Sequence, residues 1–197
     1  MSRSDPSAAK KERNKTIRWV VTIFFVTILV SGIISLVSDA VMSVSGILVA
    51  FLILMVIILV GIIFDIIGVA VTSADERPFH SMAARKVAGA QDAIKLLRNA
   101  ERVSSICNDV VGDICGVVSG SASATIAAQV LAKTDLVWPQ VITLAMSALV
   151  AGLTVGGKAI GKTFAVNSST EILSAVGKLI YALHHFPRSF GKKKKKK

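Results

Sequence analysis

Long apolar runs alternate with short polar stretches along this chain. A helix needs about 20 apolar residues to cross a hydrocarbon core roughly 30 Å thick, so each long run predicts a membrane-spanning helix. The runs that qualify are 17–38, 44–72, 103–132 and 138–158. The pattern therefore predicts an all-α fold, a polytopic membrane helical bundle, with its transmembrane domain over 17–185.

The segments between and beside these runs are polar or amphipathic. Residues 1–16 are charged and are expected to form a disordered cytoplasmic tail. Residues 74–102 place apolar side chains at helical spacing among charges, which predicts an amphipathic hairpin or bent helix on the membrane surface. A juxtamembrane amphipathic helix is predicted over 168–185, with Pro187 ending it, and a polybasic tail over 186–197.

Composition supports membrane insertion. The chain is 53% hydrophobic with a mean hydropathy of +0.67, whereas ordinary soluble domains are about 45–50% apolar. Its net charge of +11 does not indicate nucleic-acid binding, because the basic residues are not interleaved with aromatics. Anionic lipid is the expected partner of the basic tails, at about 1 kcal/mol per charge. The run Lys192 to Lys197 is open to a second interpretation, a remnant of expression.

The basic residues also predict orientation, because cytoplasmic segments carry the Lys and Arg excess. Six of the 23 lie within residues 1–18, six in the loop 73–102 and ten from Lys158 onward. The two predicted turns, 38–43 and 133–140, hold only Lys133. The prediction is a multi-pass cell-membrane protein with four crossings and both termini cytoplasmic.

The third apolar run, Val103–Ala132, carries polar groups that lipid does not tolerate without compensation. Asn108, Asp109 and Asp113 lie inside it. A carboxylate at membrane depth costs about 2.5–3.5 kcal/mol on insertion scales, so such groups usually face a bundle interior, a partner charge or an ion path. The default interpretation is a functional site.

Small residues recur every fourth position in two of the runs and predict close helix packing. One stripe, in the run 103–132, is Gly112, Gly116, Gly120, Ala124 and Ala128, and the other, in the run 138–158, is Ala148, Gly152 and Gly156. The two stripes are expected to match each other and to support a homodimer.

The topology is expected to bring Asp65, Lys158 and the polar groups of the third run to one depth. Oxygen ligands at one depth suit a hard cation such as Mg²⁺. Two interpretations stand: Asp65 belongs to a cation site, or Asp65 and Lys158 form a structural ion pair. For Asp109 and Asp113 the structural alternative is a bond to backbone or to Ser and Thr of neighbouring helices.

Catalysis is not expected. The chain has no CxxC, HExxH, GxSxG or phosphate-loop pattern, and no organic cofactor is predicted. Cys107 and Cys115 are predicted to be packing residues. The three histidines, His80, His184 and His185, are predicted to lie at the interface and not to bind metal.

Three stretches resemble the transmembrane domain of the CNNM/CorB/CorC magnesium transporters. They are GVAVTSADERPFHSMA, LLRNAERVSSICND and GGKAIGKTFA, and the resemblance covers about Gly46 to Leu183. It implies a homodimer whose protomers each have three spanning helices and a juxtamembrane helix. It also implies Mg²⁺ bound near the cytoplasmic side by serines, an asparagine, a glycine carbonyl and a carboxylate region. The chain has an additional first helix, and regulation by ATP-binding CBS domains is not expected in it.

Transferred by position, the resemblance implies a ligand set with departures. Asn108 matches the family asparagine and Gly157 the glycine of the last motif. Asp65 and Ile67 stand where the family has serines, Gly68 where it has glutamate, Lys158 where it has a carboxylate, and Gly161 where it has proline. Lys158 would repel Mg²⁺ unless Asp65 neutralises it and Asp109 or Asp113 supplies the ligand charge. The candidate metal ligands are therefore Asn108, Asp109, Asp113, Asp65 and Gly157.

Two functions are predicted. The first is divalent cation transport or homeostasis, with Mg²⁺ as the candidate ion. The alternative is a non-transporting membrane scaffold or regulator that keeps the fold and has lost the cation site.

Overall fold

A computed structural model describes residues 6–133 and 138–192, and the side chains of residues 14, 16–133 and 138–184. Within that part of the chain the structure is helical and contains no strand, which confirms the predicted all-α class. The helices are α1 (Pro6–Val44), α2 (Ile47–Ser73), α3 (Arg77–Ala84), α4 (Ala90–Arg98), α5 (Ala100–Ser105), a π-helical segment (Ile106–Gly112), α6 (Asp113–Lys133), α7 (Pro139–Asn167) and α8 (Ser169–Lys192).

Four helical stretches of the described residues are long and apolar enough to cross a membrane, which indicates a membrane protein. They are Thr16–Val44, Ile47–Ser73, Ala100–Lys133 and Pro139–Asn167. Thr16 and Trp19 of α1 line one cavity together with Glu101 and Arg102 of α5, so the start of α1 lies at the same end of the bundle as α5. Because α4 also contacts α8, both ends of the described chain lie at this end.

Helix α2 is the centre of the bundle because it is the most apolar and contacts α1, α6 and α7. Its face at Ala50, Leu54 and Ile58 is buried. These side chains form one core with residues of the other spanning helices. That core also contains Met42, Ala122, Ile126 and Val150.

A second core lies at the other end of α2, beneath the surface helices. Phe79 of α3 is fully buried there, against Val71 of α2 and Ile94 of α4, and Leu173 of α8 completes the cluster. The surface helices α3, α4 and α8 are therefore held by contacts with the bundle and not by lipid alone. Burial of Phe79, Ile94 and Leu173 against the end of α2 packs them onto the bundle.

The small-residue stripe of the run 103–132, which we call the α6 stripe, and that of the run 138–158, which we call the α7 stripe, do not join α6 to α7. A Cβ atom added at Gly116, Gly120, Gly152 or Gly156 would meet nothing within 4 Å. Gly116 and Gly120 instead border a groove of about 280 Å³, which Ser147, Ala151 and Thr154 line from the α7 side. The expected match between the two stripes within one chain is therefore wrong for these four glycines, and of the stripe glycines Gly112 alone faces α7 in the described part of the chain.

Other glycines make the close contacts. A Cβ at Gly61 would lie 2.9 Å from Cys115 Cβ, and one at Gly161 would lie 2.8 Å from Ile66 Cγ1. A Cβ at Gly157 would overlap Ile62. Glycine at these positions lets α6 and α7 approach α2 at backbone distance.

Three helices extend beyond their predicted limits. Helix α1 begins at Pro6, so residues 6–16 are helical and the expectation of a disordered tail is wrong for them. Pro6 stands at the first helical position, which suits proline, and the alanines and lysines that follow are good helix formers. The first turn also falls later than predicted, at Ser45–Gly46 and not at 38–43. Residues 38–43 are part of α1 because their polar groups bond to α6.

Helix α7 ends at Asn167 and not at 158, because Gly157 and Gly161 serve as contact positions against α2 and do not terminate the helix. Helix α8 continues through Pro187 to Lys192. Proline removes one backbone donor but its fixed φ is helical, so the predicted end at Pro187 is wrong. The lysine run 193–197, residues 1–5 and residues 134–137 of the predicted second turn lie outside the described residues.

Gly177→Ala is expected to loosen α8 from α4. The added Cβ would overlap the carbonyl oxygen of Gly89 and lie 3.1 Å from Ala93 Cβ, and a backbone carbonyl cannot move aside cheaply. We expect a loss of about 1–3 kcal/mol of unfolding free energy, as for other overpacked sites, measured by denaturant unfolding in detergent. Gly32→Ala is the matched control, since a Cβ at Gly32 meets nothing within 4 Å. Equal stability of the two variants would contradict the contact.

Candidate functional site

The candidate site is built around Asp65, the buried carboxylate of α2. Its side chain lies on the same helix face as Gly61 and Gly68, one turn away in each direction, and that face packs against the third spanning helix. Asp65 is only 4% exposed. A charge in such a position requires partners, because taking an isolated carboxylate out of water is very costly.

Two lysines of α7 supply the opposite charge. Lys158 Nζ lies 3.9 Å from Asp65 Oδ1, and Lys162 Nζ lies 3.9 Å from Oδ2. The lysines are four residues apart and so lie on one face of α7. Lys158 is largely buried, whereas the Lys162 side chain is 56% exposed. The carboxylate is therefore bracketed by a buried and a more exposed ammonium group, each at ion-pair distance but beyond hydrogen-bond distance.

Lys158 is also held by the backbone of the third spanning helix. Its Nζ donates a hydrogen bond of 3.3 Å to the carbonyl oxygen of Gly112. A Cβ at Gly112 would lie 3.3 Å from this nitrogen and 3.8 Å from Asp65 Oδ1. Glycine at 112 therefore leaves the space in which α2, α6 and α7 meet through one charged cluster.

Asn108 lies beside this cluster, on the π-helical segment. Its Nδ2 donates to Ser104 Oγ at 3.2 Å, and its amide covers Gly68 so closely that a Cβ there would overlap it. Among the described residues, neither Asn108 Oδ1 nor Asp65 Oδ2 has a hydrogen-bond partner, although both atoms are buried. π-helical turns within α-helices often occur at functional sites.

Asp109 and Asp113 point elsewhere. Both are exposed, on the outward face of the third spanning helix that also carries Gly120 and Ala124. Asp109 Oδ2 accepts a hydrogen bond of 2.6 Å from Ser105 Oγ, one turn earlier on the same helix. Gly157, the remaining candidate ligand, contacts Ile62 and no carboxylate.

The structure therefore brings together only part of the predicted ligand set. Asp65, Lys158 and Asn108 lie around one end of α2, while Asp109 and Asp113 lie on another surface. No group of three or more His, Cys, Asp or Glu that could hold a metal is found in the described part of the chain. Two ammonium groups beside one carboxylate do not fit Mg²⁺, which takes carboxylates and retained water.

A second polar cluster was not anticipated from the sequence. Asp39 of α1 accepts hydrogen bonds from Ser121 Oγ at 3.1 Å and from Thr125 Oγ1 at 3.3 Å. Gln129 Nε2 donates to the Met42 carbonyl at 2.6 Å. The sequence signal was the spacing of four between these α6 residues, which puts all three on one helix face. The hydroxyls hold α1 to the bundle.

The histidines with described side chains lie outside the charged cluster. His80 Nε2 lies 3.1 Å from Glu76 Oε1, and Arg98 Nε lies 3.3 Å from the same oxygen. His184 lines a surface cavity beside α4. The side chain of His185 lies outside the described residues.

Comparisons with known proteins do not identify a family. A scan against protein-family models, a search of curated proteins and a search of solved structures each returned no match. The resemblance to the CNNM/CorB/CorC domain therefore stays a prediction.

Removing one side of the buried ion pair is expected to destabilise the bundle more than removing both. Asp65→Leu leaves the Lys158 ammonium buried without a carboxylate, and loss of one partner typically costs about 3–5 kcal/mol. The double variant Asp65→Leu/Lys158→Met replaces the pair with apolar side chains and should recover most of that loss, because Lys162 can extend to water. Unfolding free energies in detergent measure this coupling.

The control for these variants is Asp113→Asn, which removes an exposed carboxylate from another surface of the third spanning helix and should change the unfolding free energy little. If the double variant loses as much unfolding free energy as Asp65→Leu and Lys158→Met lose in sum, the two residues do not interact.

Proposed function

We propose that this protein is a non-transporting membrane scaffold or regulator, whose buried charges hold its helices together. The single observation that carries this proposal is the position of Asp65, 4% exposed and 3.9 Å from each of two lysine ammonium groups. The buried carboxylate that a cation would need is already neutralised by the protein's own cations.

The cost of freeing Asp65 supports a structural role. A cation entering here would have to displace Lys158, which is also bonded to the Gly112 carbonyl. That lysine would then be left partly buried without a carboxylate, the arrangement that costs the most in protein interiors. A transport cycle would meet this cost at every turnover.

The outward stripes support an assembly role. Intramembrane helices associate where small residues let their backbones approach, and Gly116, Gly120, Gly152 and Gly156 offer such a surface unobstructed by the chain itself. The occupant we propose is a second copy of this chain, giving a homodimer through the α6 stripe and the α7 stripe. We also propose that both termini are cytoplasmic and that the basic tails bind anionic lipid, from the distribution of Lys and Arg.

A second candidate function, divalent cation transport or homeostasis, is favoured by one observation. Asp109 and Asp113 are exposed on the face that carries the α6 stripe. In a homodimer formed through that face, carboxylates of both copies would come together, and like charges at membrane depth require a cation or protons between them. The site would then belong to the dimer and would not use Asp65.

Millimolar Mg²⁺ distinguishes the two functions. For the scaffold we expect the same unfolding midpoint in Mg²⁺ and in NaCl of equal ionic strength, with no further change in Asp109→Asn. A specific site filled at 100 times its dissociation constant would add about 2.7 kcal/mol. A Mg²⁺-specific rise that disappears in Asp109→Asn or Asp113→Asn would reject the scaffold in favour of the transporter.

Gly120→Leu is expected to convert the proposed dimer to monomers. The leucine would fill the close-approach surface between copies but, within one chain, Gly120 has nothing within 4 Å of an added Cβ. Gly32→Leu on α1, equally unobstructed, is the matched control and should stay dimeric. Cross-linking in membranes distinguishes dimers from monomers. A wild-type protein that cross-links only as monomer would end the homodimer proposal.

A further inference from the structure

A cavity of about 360 Å³ lies at the surface end of the bundle, between the α3–α4 loop, the first turns of α4 and the second half of α8. It shares no residue with the charged cluster around Asp65 or with the stripes. Its lining includes Lys86 from the loop, Gln91 and Lys95 from α4, and His184 from α8. We call it the loop pocket.

The charge of the loop pocket is positive. Lys95 Nζ lies 2.9 Å from Asp92 Oδ1, so these two side chains pair with each other, and Lys86 gives the described lining its net positive charge. Within the described part of the chain, no carboxylate pairs with Lys86. Lys86, Lys95, the Gln91 amide and the His184 ring together offer hydrogen-bond donors, which are the groups that bind phosphate oxygens.

The backbone of the loop holds Lys86 in an unusual conformation. Its φ is +56°, and among non-glycine residues of the described chain it alone has a positive φ. The residue occupies the position after α3 where helices commonly end on glycine, and its N–H bonds to the Ala83 carbonyl at 2.9 Å. Lysine at a position that favours glycine indicates that its side chain has a functional role, such as binding a ligand.

The packing beneath the pocket fixes its walls. The backbones of Gly89 and Gly177 approach so closely that a Cβ on either would overlap the other segment. This contact sets α8 against the α4 N-terminus, with His184 two turns beyond Gly177 and therefore on the same face of α8. The pocket is thus part of the folded surface and not a gap between loose segments.

The pocket lies near the membrane boundary. Helix α8 directly follows the spanning helix α7, and Leu179 and Leu183 on its other side are 61% and 64% exposed. Exposed apolar side chains on an amphipathic helix of this kind insert at the boundary of headgroups and acyl chains. A helix with its side chains is about 10 Å across, so the pocket lies about that far from the apolar flank.

We propose that the loop pocket binds a phosphate group through Lys86, Lys95 and His184. Its place beside the apolar flank of α8 makes the headgroup of an anionic membrane lipid the expected source, with soluble phosphate as the other source of the same chemistry. This proposal is independent of cation transport and of dimer formation.

The test measures binding to the purified full chain in neutral detergent by titration calorimetry. The probes are dioctanoyl phosphatidic acid, inorganic phosphate and dioctanoyl phosphatidylcholine. We expect phosphatidic acid to bind and the zwitterionic lipid not to bind. Lys86→Gln/Lys95→Gln should weaken phosphatidic acid binding at least tenfold, because two charged donors are lost.

Arg77→Gln/Arg102→Gln is the matched control. It removes two exposed positive charges that do not line the loop pocket, and its affinity should stay within twofold of the wild type. Lys86→Gly separates binding from folding, since glycine accepts the positive φ without strain. This variant should unfold at the same or a higher temperature and yet bind phosphatidic acid more weakly.

Each outcome decides the proposal. Pocket-dependent binding of phosphatidic acid alone supports a lipid headgroup site, and pocket-dependent binding of inorganic phosphate as well supports a general phosphate site. No binding of either probe overturns the proposal. An equal loss of phosphatidic acid affinity in Lys86→Gln/Lys95→Gln and in Arg77→Gln/Arg102→Gln also overturns it. Binding would then depend on the total positive charge and not on the pocket.

Discussion

The bundle depends on one buried carboxylate at the point where three of its helices meet. Asp65 lies on α2 between two apolar cores, one formed with Ala122 and Ile126 and the other beneath the surface helices. Two lysines of α7 approach it, and one of them is also bonded to the backbone of the third spanning helix. A charge that can be satisfied in only one arrangement specifies how the helices are placed, whatever its net effect on stability.

The two ends of the membrane-spanning bundle use polar contacts differently. At one end, hydroxyls of α6 bind Asp39 and fasten α1. At the other end, the Asp65 carboxylate pairs with lysine ammonium groups, and glycine at position 112 leaves the space for them. Helices in lipid gain little from apolar contact with one another, because lipid is equally apolar. Polar groups and close backbone approach therefore supply much of the specificity of the assembly.

The carboxylates of the spanning helices differ in their surroundings. Asp39 accepts hydrogen bonds from α6 and Asp65 is paired with two lysines of α7, whereas Asp109 and Asp113 face outward from a spanning helix. An exposed carboxylate at this depth needs an interface, water or an ion. The chain thus has an internally complete fold and an incompletely covered face, a combination suited to a protein that functions as an assembly. The loop pocket adds a separate contact at the membrane boundary.

The sequence predicts the class of fold, because its long apolar runs leave only spanning helices as a solution, and it places Asp65 and Lys158 at the same depth. It did not determine which side of each helix faces inward. The stripe glycines and Gly61 or Gly161 are indistinguishable as local signals, since in lipid both sides of a helix are apolar and periodicity carries little information. It likewise gave no sign of the π-helical turn or of Lys162 joining Lys158. These features depend on how α2, α6 and α7 rotate against one another around one buried charge, which no local sequence pattern specifies.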